Sequence, residues 1–207
     1  MQDFETMVPE VRAFLDALAA NNSRDWFQAH KADYEASLKA PAEALLAVVA
    51  EELAAMTEAP VGTKLFRMNR DVRFSKDKTP YHTHLHMLWR SGGAEAPAWF
   101  FGIAPGYVRA GWGTMAFPKP GLEAWRDLMG GDDGAAAAAA IASTGLEPSA
   151  PELKRVPAPW PQDHPRAEHL RRKGLVLWAD VADARPGTLM EVFDRAEPAR
   201  RALAGLA

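Results

Sequence analysis

The sequence predicts an α+β fold, with a central, mainly antiparallel sheet and helices at the N-terminal and C-terminal ends of the chain. Three observations support this prediction. Apolar residues recur at helical spacing before residue 60, alternate with polar residues around residue 85, and return to helical patterns after residue 120. Strands gathered in the middle of a chain, with helices on either side, are typical of α+β domains.

The length and composition predict one globular domain. The chain has 207 residues, of which 48% are hydrophobic and 25% charged, which is long enough and apolar enough to bury a core. Within a single domain over 1–207 we predict three parts: a helical part at 1–60, a sheet-forming core at 64–117, and helices with one further strand at 121–207.

The N-terminal part contains three predicted helices. The first carries one apolar stripe and ends at Asn21, and Ser23 is expected to cap the second. Because proline disfavours helical conformation in the residue before it, the second helix should end or bend before Pro41, which then opens the third. The predicted buried face of the third helix consists of Leu45, Leu46, Val49, Leu53 and Met56.

The middle of the chain reads as strands. Alternation over 85–89 predicts one strand, and the apolar runs at 98–103 and 107–112 predict a hairpin around Pro105-Gly106, a pair that fits a type II turn. Gly111 and Gly113 predict a bulge or a close backbone approach. The remaining predicted elements are helices at 121–129 and 134–143 with Asp133 as cap and Gly145 as stop, a proline-rich loop at 147–165, a helix at 166–173, a strand at 175–181, and a terminal helix at 188–207 with a break at Pro198.

The composition excludes several classes of protein. There is no cysteine, so disulfides, thiol nucleophiles and thiolate metal sites are excluded. The first ten residues lack the basic and apolar regions of a secretory signal, and no apolar run reaches the length of a membrane span. We therefore predict a cytoplasmic protein that does not bind membranes. The net charge of −3 disfavours nucleic-acid binding by bulk charge.

One segment has the opposite charge to the rest of the chain. Six basic and two acidic residues lie between Lys64 and Tyr81, a local charge of +4 on a chain of −3. Arginine offers a planar fork that suits phosphate or carboxylate. We therefore predict a site for a small anionic ligand that bears phosphate or carboxylate, lined by Arg67, Arg70, Arg73, Ser75, Lys76, Lys78 and Tyr81.

Two alternatives to this anion site stay open. Asp71 and Asp77 are close enough in sequence to neutralise the arginines, in which case the segment is a structural ion-pair network. The segment, together with exposed tryptophans among the seven in the chain, could instead bind nucleic acid or an acidic protein without catalysis. If the protein is an enzyme, the candidate acids and bases are His84, His164 and Asp163, although Asp163 and His164 also suit the cap of a helix beginning at Pro165.

Three histidines share one face of the predicted strand: His82, His84 and His86. Residues four apart on a strand are roughly 13 Å apart, so His82 and His86 can hardly bind one ion together. An adjacent pair could hold a divalent metal only with further ligands, and we predict neither a metal site nor a cofactor.

Three stretches together resemble a known family: "FLDALAANNSRDWFQAHKADYEASLKAPAEALL", "FRMNRDVRFSKDKTPYHTHL" and "PWPQDHPRAEHLRRKG". They resemble the uncharacterised, mostly bacterial family called domain of unknown function 2461. The resemblance implies a single α+β domain and no known reaction. The family more usually has lysine at the position of His82 and a small residue at that of His86. The signature positions it implies are Asn22, Arg24, Trp26, Phe27, Lys31, Tyr34, Phe66, Arg67, Arg70, Asp71, Arg73, Phe74, Ser75, Asp77, Lys78, Pro80, Tyr81, Asp163, His164, Pro165 and Leu170.

Overall fold

Six strands form one antiparallel sheet in a computed structural model that describes residues 4–206. Residues 1–3 and 207 of the predicted domain lie outside the described residues. The strand order across the sheet is β1-β2-β3-β4-β6-β5. This sheet, with helices before and after it in sequence, confirms the α+β prediction. The strands are β1 Val61–Leu65, β2 Leu85–Ser91, β3 Ala98–Ala104, β4 Tyr107–Thr114, β5 Glu147–Pro148 and β6 Leu175–Asp180.

The helices lie at both ends of the chain, as predicted. No helix within residues 4–206 is long and apolar enough to cross a membrane. The helices are α1 Met7–Ala20, α2 Arg24–Ala29, α3 Lys31–Tyr34, a π-helical segment Glu35–Lys39, α4 Ala40–Thr57, α5 Lys119–Gly130, α6 Gly134–Ser143, α7 Ala167–Leu170, α8 Pro186–Arg195, α9 Glu197–Ala202 and a 3₁₀ turn Ala204–Leu206.

The chain divides into two compact units, each assembled from three stretches. Among the described residues, unit 1 contains 4–91, 100–110 and 180–190, and unit 2 contains 92–99, 111–179 and 191–206.

The second predicted helix is broken into three short elements. Its cap is confirmed, since the Ser23 hydroxyl accepts a hydrogen bond from the Trp26 backbone N–H at 3.3 Å. The expected end or bend before Pro41 is wrong, because Lys39 and Ala40 keep helical dihedral angles and α4 follows the π-helical segment directly. Pro41 lies at the N-terminus of α4, where the missing backbone N–H is tolerated.

The core of unit 1 lies between α4 and strands β1 and β2. Leu45, Leu46, Val49 and Leu53 are buried as predicted, whereas Met56, near the end of α4, is only partly buried. Fully buried Trp89 of β2 donates its indole N–H to the Leu46 carbonyl at 2.9 Å. Leu85, Met87 and Trp89 therefore form the inward face of β2, and His86 lies on the opposite face.

Strand β1 was not predicted. It pairs antiparallel with β2, with Lys64 opposite Leu88. Gly62, Thr63 and Lys64 are exposed because β1 is an edge strand. An exposed edge strand needs no alternation of apolar residues, so its sequence carries no strand signal.

The predicted hairpin is confirmed, but its turn type is wrong. Strands β3 and β4 are adjacent and are separated by Pro105-Gly106. A type II turn needs a positive φ at Gly106, and the residues with positive φ in the described chain are Glu58, Gly92, Gly113 and Gly145. The close backbone approach predicted at the strand glycines is confirmed in unit 2, because a Cβ on Gly111 would lie 2.4 Å from the Leu177 carbonyl oxygen.

The helices of unit 2 follow the predictions with small shifts. Gly145, with φ of +61°, ends α6 as expected. Asp133 occupies the cap position of α6 without a side-chain hydrogen bond, so its predicted capping role is wrong. Helix α7 begins at Ala167 rather than at Pro165. The terminal helix breaks at Ala196, two residues before Pro198, and β5 in the proline-rich loop was not predicted.

Candidate functional site

The basic loop, which we define as residues 66–84, joins β1 to β2 within unit 1. Its base continues the pairing of the two strands. The His82 backbone N–H donates to the Met68 carbonyl at 2.7 Å, and that of Arg70 donates to the Pro80 carbonyl at 2.8 Å. Residues 71–79 therefore form the tip of a long excursion whose base is held by backbone hydrogen bonds.

Two of the predicted arginines are paired with the acids of the same loop. The Arg70 guanidinium contacts Asp77 at 2.6 Å and also reaches the carbonyl and hydroxyl of Thr79. Arg73 pairs with Asp71 at 2.6 Å, although its side chain is 77% exposed. Hydrogen bonds from the Thr79 backbone and hydroxyl, followed by the one from Arg70, lower the pKa of Asp77 to about 2. Arg70 thus fixes the shape of the tip.

The other cations of the segment are not neutralised by acids. Arg67 is exposed and makes no hydrogen bond or ion pair with any described residue, and the same holds for Lys76. Lys78 donates to the Val72 carbonyl at 3.0 Å, which leaves its charge uncompensated. Lys64 lies over the Phe66 ring at 4.5 Å from the ring centroid. The local excess of positive charge is therefore carried by side chains other than those of Arg70 and Arg73.

Ser75 and Tyr81 have clear local roles. The Ser75 backbone N–H closes a turn onto the Val72 carbonyl at 3.3 Å. Tyr81 is buried, and its ring stacks on Phe27 at 4.1 Å between centroids. The Asn22 side-chain amide also accepts a hydrogen bond from the Tyr81 backbone N–H at 3.1 Å and donates one to the Tyr81 carbonyl at 2.9 Å. These contacts anchor the basic loop to the N-terminal helices, and they account for Tyr81 without a ligand.

The three imidazoles lie ring against ring in a ring row, which we define as His82, His84, His86 and Tyr107. The ring centroids of His82 and His84 are 4.7 Å apart, and those of His84 and His86 are 3.8 Å apart with their planes 15° from parallel. Nε2 of His86 lies 2.6 Å from the Tyr107 hydroxyl. The three rings lie next to one another as predicted, but only His86 belongs to β2, and His82 and His84 precede it in the basic loop, so the prediction that one strand carries all three is wrong.

A missing side chain makes room for the end of this row. A Cβ on Gly102 of β3 would lie 2.8 Å from His86 Cδ2 and 3.4 Å from a ring carbon of Tyr107. The two rings therefore meet in space that only glycine leaves open. Tyr107 and Gly102 were missed as site residues because nothing in the spacing along the chain connects them to His86. The glycine at position 102 in an otherwise apolar strand was the only sequence feature that could have indicated a close ring contact there.

The ring faces in this region are occupied by neighbouring groups. Arg109 lies over the Tyr107 ring at 4.9 Å and contacts Asp180 at 3.5 Å. Phe66 meets His86 edge-on at 6.4 Å, and Lys64 covers a face of Phe66. The stacked imidazoles likewise cover each other's faces. Lys64 and Arg109 are therefore the cations that contact the rings around this row.

The environment lowers the pKa of all three histidines. Burial, followed by the neighbouring imidazoles His84 and His82, lowers the pKa of His86 to about 4. Burial also lowers the pKa of His84, with His82 as a second cause. For His82 the causes of the lowered pKa are burial, then the charges of Arg70 and Arg67. Arg67 thus acts electrostatically on His82, after the larger effect of Arg70, and it also lowers the pKa of Asp71.

The candidate metal ligands do not form a metal-binding group in the described part of the chain. No set of three or more His, Asp or Glu residues there is arranged to hold an ion. His84 and His86 face each other through stacked ring planes, and the ring planes of His82 and His84 are tilted by 34°. A pairwise metal site at His82 with His84, or His84 with His86, would need ligands from outside these residues.

The structure places the catalytic candidates in different units. His84 belongs to the ring row of unit 1, whereas Asp163 and His164 belong to unit 2. Asp163 is exposed. Nδ1 of His164 accepts the Arg166 backbone N–H at 3.1 Å, in the turn that precedes α7. His164 therefore organises the entry to the helix, although α7 begins two residues later than Pro165.

Comparison with known protein families identifies one family model that matches this chain. The model of the family described as "Conserved hypothetical protein (DUF2461)" matches residues 10–198, which include both units almost entirely. No curated protein matches the chain. A match over nearly the whole length shows that this chain belongs to the DUF2461 family.

Proposed function

We propose that the protein binds a small anionic molecule, bearing phosphate or carboxylate, along the outward edge of the ring row. The observation that carries this proposal is that some arginines of the basic loop form ion pairs and one does not. Arg70 and Arg73 are committed to Asp77 and Asp71, while Arg67 makes no ion pair with any residue described and influences His82 electrostatically. An unpaired guanidinium in the same loop as the hydrogen-bonding imidazoles of His82 and His84 suits an anion.

The ring edges add hydrogen-bonding capacity to this charge. A neutral imidazole has one donor nitrogen and one acceptor nitrogen, and Tyr107 occupies Nε2 of His86. The His82 and His84 rings are partly exposed, so their edges can contact a ligand next to Arg67. We place Arg67, His82 and His84 in direct contact with the anion, with Lys64 and Lys78 as longer-range contributors.

The proposal replaces part of the predicted ligand set. Arg70, Arg73 and Ser75 hold the loop in shape, and Tyr81 anchors it to Phe27. Their role in the proposed site is to position Arg67 and the His82 end of the ring row. An acid–base role for His84 is part of the proposal only if the bound molecule reacts there.

Binding of nucleic acid by stacked aromatic rings receives less support. Of the seven tryptophans four are buried and three are partly buried, so none offers a fully exposed platform. The faces of Phe66 and Tyr107 are covered by Lys64 and Arg109. Because base stacking requires open ring faces, these rings are poorly suited to single-stranded nucleic acid. Phe74 is 96% exposed at the loop tip, and the Arg73 guanidinium lies over its ring at 5.9 Å from the centroid.

Inorganic pyrophosphate and citrate test the proposal as a phosphate-bearing and a carboxylate-bearing probe. Calorimetric titration at low ionic strength is expected to detect binding of at least one. Replacing Arg67 by glutamine should weaken that binding at least tenfold, because charge-assisted hydrogen bonds contribute about 1.5–3 kcal/mol. Stability should change by less than about 0.5 kcal/mol, because Arg67 makes no ion pair with a described residue.

Arg155→Gln is the matched control, since Arg155 is an exposed arginine of unit 2 and its replacement changes the net charge equally. This variant should bind within twofold of the wild type. If Arg67→Gln and Arg155→Gln weakened anion binding equally, the effect would be due to the net charge of the protein rather than to a site at Arg67. The absence of binding by both probes, or a loss of stability in Arg67→Gln, would contradict the proposed site.

A further inference from the structure

Unit 1 also contains a groove whose lining includes no residue of the basic loop. A groove of about 480 Å³ is lined by α1, α2, α3 and the π-helical segment. This volume is in the range of small-molecule sites. Besides two alanines of α1, its lining residues are Glu10, Phe14, Trp26, His30, Asp33 and Ser37.

The floor of the groove is aromatic. The Trp26 and His30 rings stack at 4.0 Å with their planes 15° apart, and Phe14 packs against Trp26 at 5.6 Å. Nδ1 of His30 lies 2.8 Å from the Trp26 carbonyl, to which it donates, and this contact fixes the imidazole in place. The stacking and the hydrogen bond hold the rings in place. All three side chains are partly exposed, so the rings also contact solvent.

The charged residues around this floor are acidic. Glu10 and Asp33 are exposed and make no ion pair with a described residue, and neither lysine nor arginine lines the groove. Aromatic faces attract cations through their quadrupoles, and two carboxylates reinforce that attraction. A hydrated metal ion would gain little from such a floor, whereas a methylated ammonium group matches both the apolar rings and the negative rim.

The backbone beside the groove is unusual. Ser37, which lines it, belongs to the π-helical segment Glu35–Lys39. Single π-helical turns inside α-helices are rare and are frequently found at functional sites. This segment shifts the register between α3 and α4 and brings Ser37 to the groove. The irregular backbone is a second observation, independent of charge, that marks the same place.

We propose that this groove binds a small organic cation of the quaternary ammonium class, with Trp26 and Phe14 as the aromatic contacts and Glu10 and Asp33 as the counter-charges. The proposal is independent of the anion site, because it rests on other residues and takes a ligand of opposite charge. A cation held mainly by two rings and two solvated carboxylates is expected to have a millimolar dissociation constant.

Choline and 3,3-dimethylbutan-1-ol form the test pair, since they differ by a positively charged nitrogen in place of a carbon. Titration followed by the indole N–H signals in NMR spectra should show choline perturbing the Trp26 signal. The neutral alcohol should bind at least tenfold more weakly. Asp33→Asn and Glu10→Gln should each weaken choline binding at least threefold, whereas Asp16→Asn, an exposed acid of α1 outside the groove, should stay within twofold.

Two results would overturn the proposal. Equal affinity for choline and its neutral isostere would show an apolar groove without cation selectivity. Equal weakening by Asp16→Asn and Asp33→Asn would assign the effect to net charge. Neither result depends on pyrophosphate or citrate binding, so the fate of this proposal is separate from that of the anion site.

Discussion

Gly113→Ala is expected to destabilise the protein by at least about 3 kcal/mol. Gly113 has φ of +145°, a conformation that residues with a side chain rarely adopt. A Cβ there would also lie 2.0 Å from the Leu175 carbonyl oxygen and 2.9 Å from the Val176 Cα. Backbone strain and overpacking therefore act together, and β6 would have to move away from β4 within unit 2.

Gly106→Ala is the matched control for this substitution. Gly106 lies in the β3–β4 turn, where an added Cβ meets nothing within 4 Å, and its φ is not positive. Its replacement should change the free energy of unfolding by less than about 0.5 kcal/mol. Urea denaturation of the two variants measures both values. Equal stability of Gly113→Ala and Gly106→Ala would contradict the close approach between Gly113 and Leu175.

The second large effect is a loss of stability in mild acid. The folded-state pKa of His86 is about 4, below its ordinary value of 6.5, so the unfolded chain binds more protons between these two pH values. The stabilising contribution of the neutral ring row is therefore fully present above about pH 6.5 and is lost as the pH falls towards 4. After discounting for partial exposure, we expect His86 to contribute on the order of 2 kcal/mol to this loss.

His86→Phe separates the ring row from other acid effects. Phenylalanine keeps a ring beside Gly102 but cannot take up a proton, so the variant should lose less stability than the wild type between pH 6.5 and 4. Asp77, whose pKa is about 2, releases its contribution at lower pH and does not interfere in this window. Chemical denaturation at a series of pH values gives the two slopes. Identical slopes would show that His86 does not titrate as the stacked geometry requires.

The sequence predicted the elements whose signals are local. The apolar stripe of α1, the Ser23 cap, the alternation in β2 and the hairpin at Pro105-Gly106 are all determined by neighbouring residues, and all are confirmed. Features that depend on distant partners escaped. Exposed edge strand β1 carries no alternation, and the contact of Tyr107 with His86 depends on the space left by Gly102.

The candidate site was located more accurately than its members were assigned. The charge count found the basic loop, and the two-residue spacing placed the histidines on one face. The partition of the arginines could not be predicted, because Arg67, Arg70 and Arg73 have the same spacing and only the folded loop pairs two of them with Asp77 and Asp71. The stacking of the histidines through their faces is likewise a property of side-chain conformation rather than of spacing.

The pH titration of the imidazole signals by NMR, with and without pyrophosphate, tests the central claim most directly. An anion bound beside Arg67 and the edges of His82 and His84 stabilises their protonated forms. By linkage, the pKa of the ring row must therefore rise when the anion binds, with the coupled imidazoles titrating as a set. We predict that pyrophosphate raises the pKa of His82 and His84. Unchanged pKa values across the ring row at saturating pyrophosphate would contradict the site.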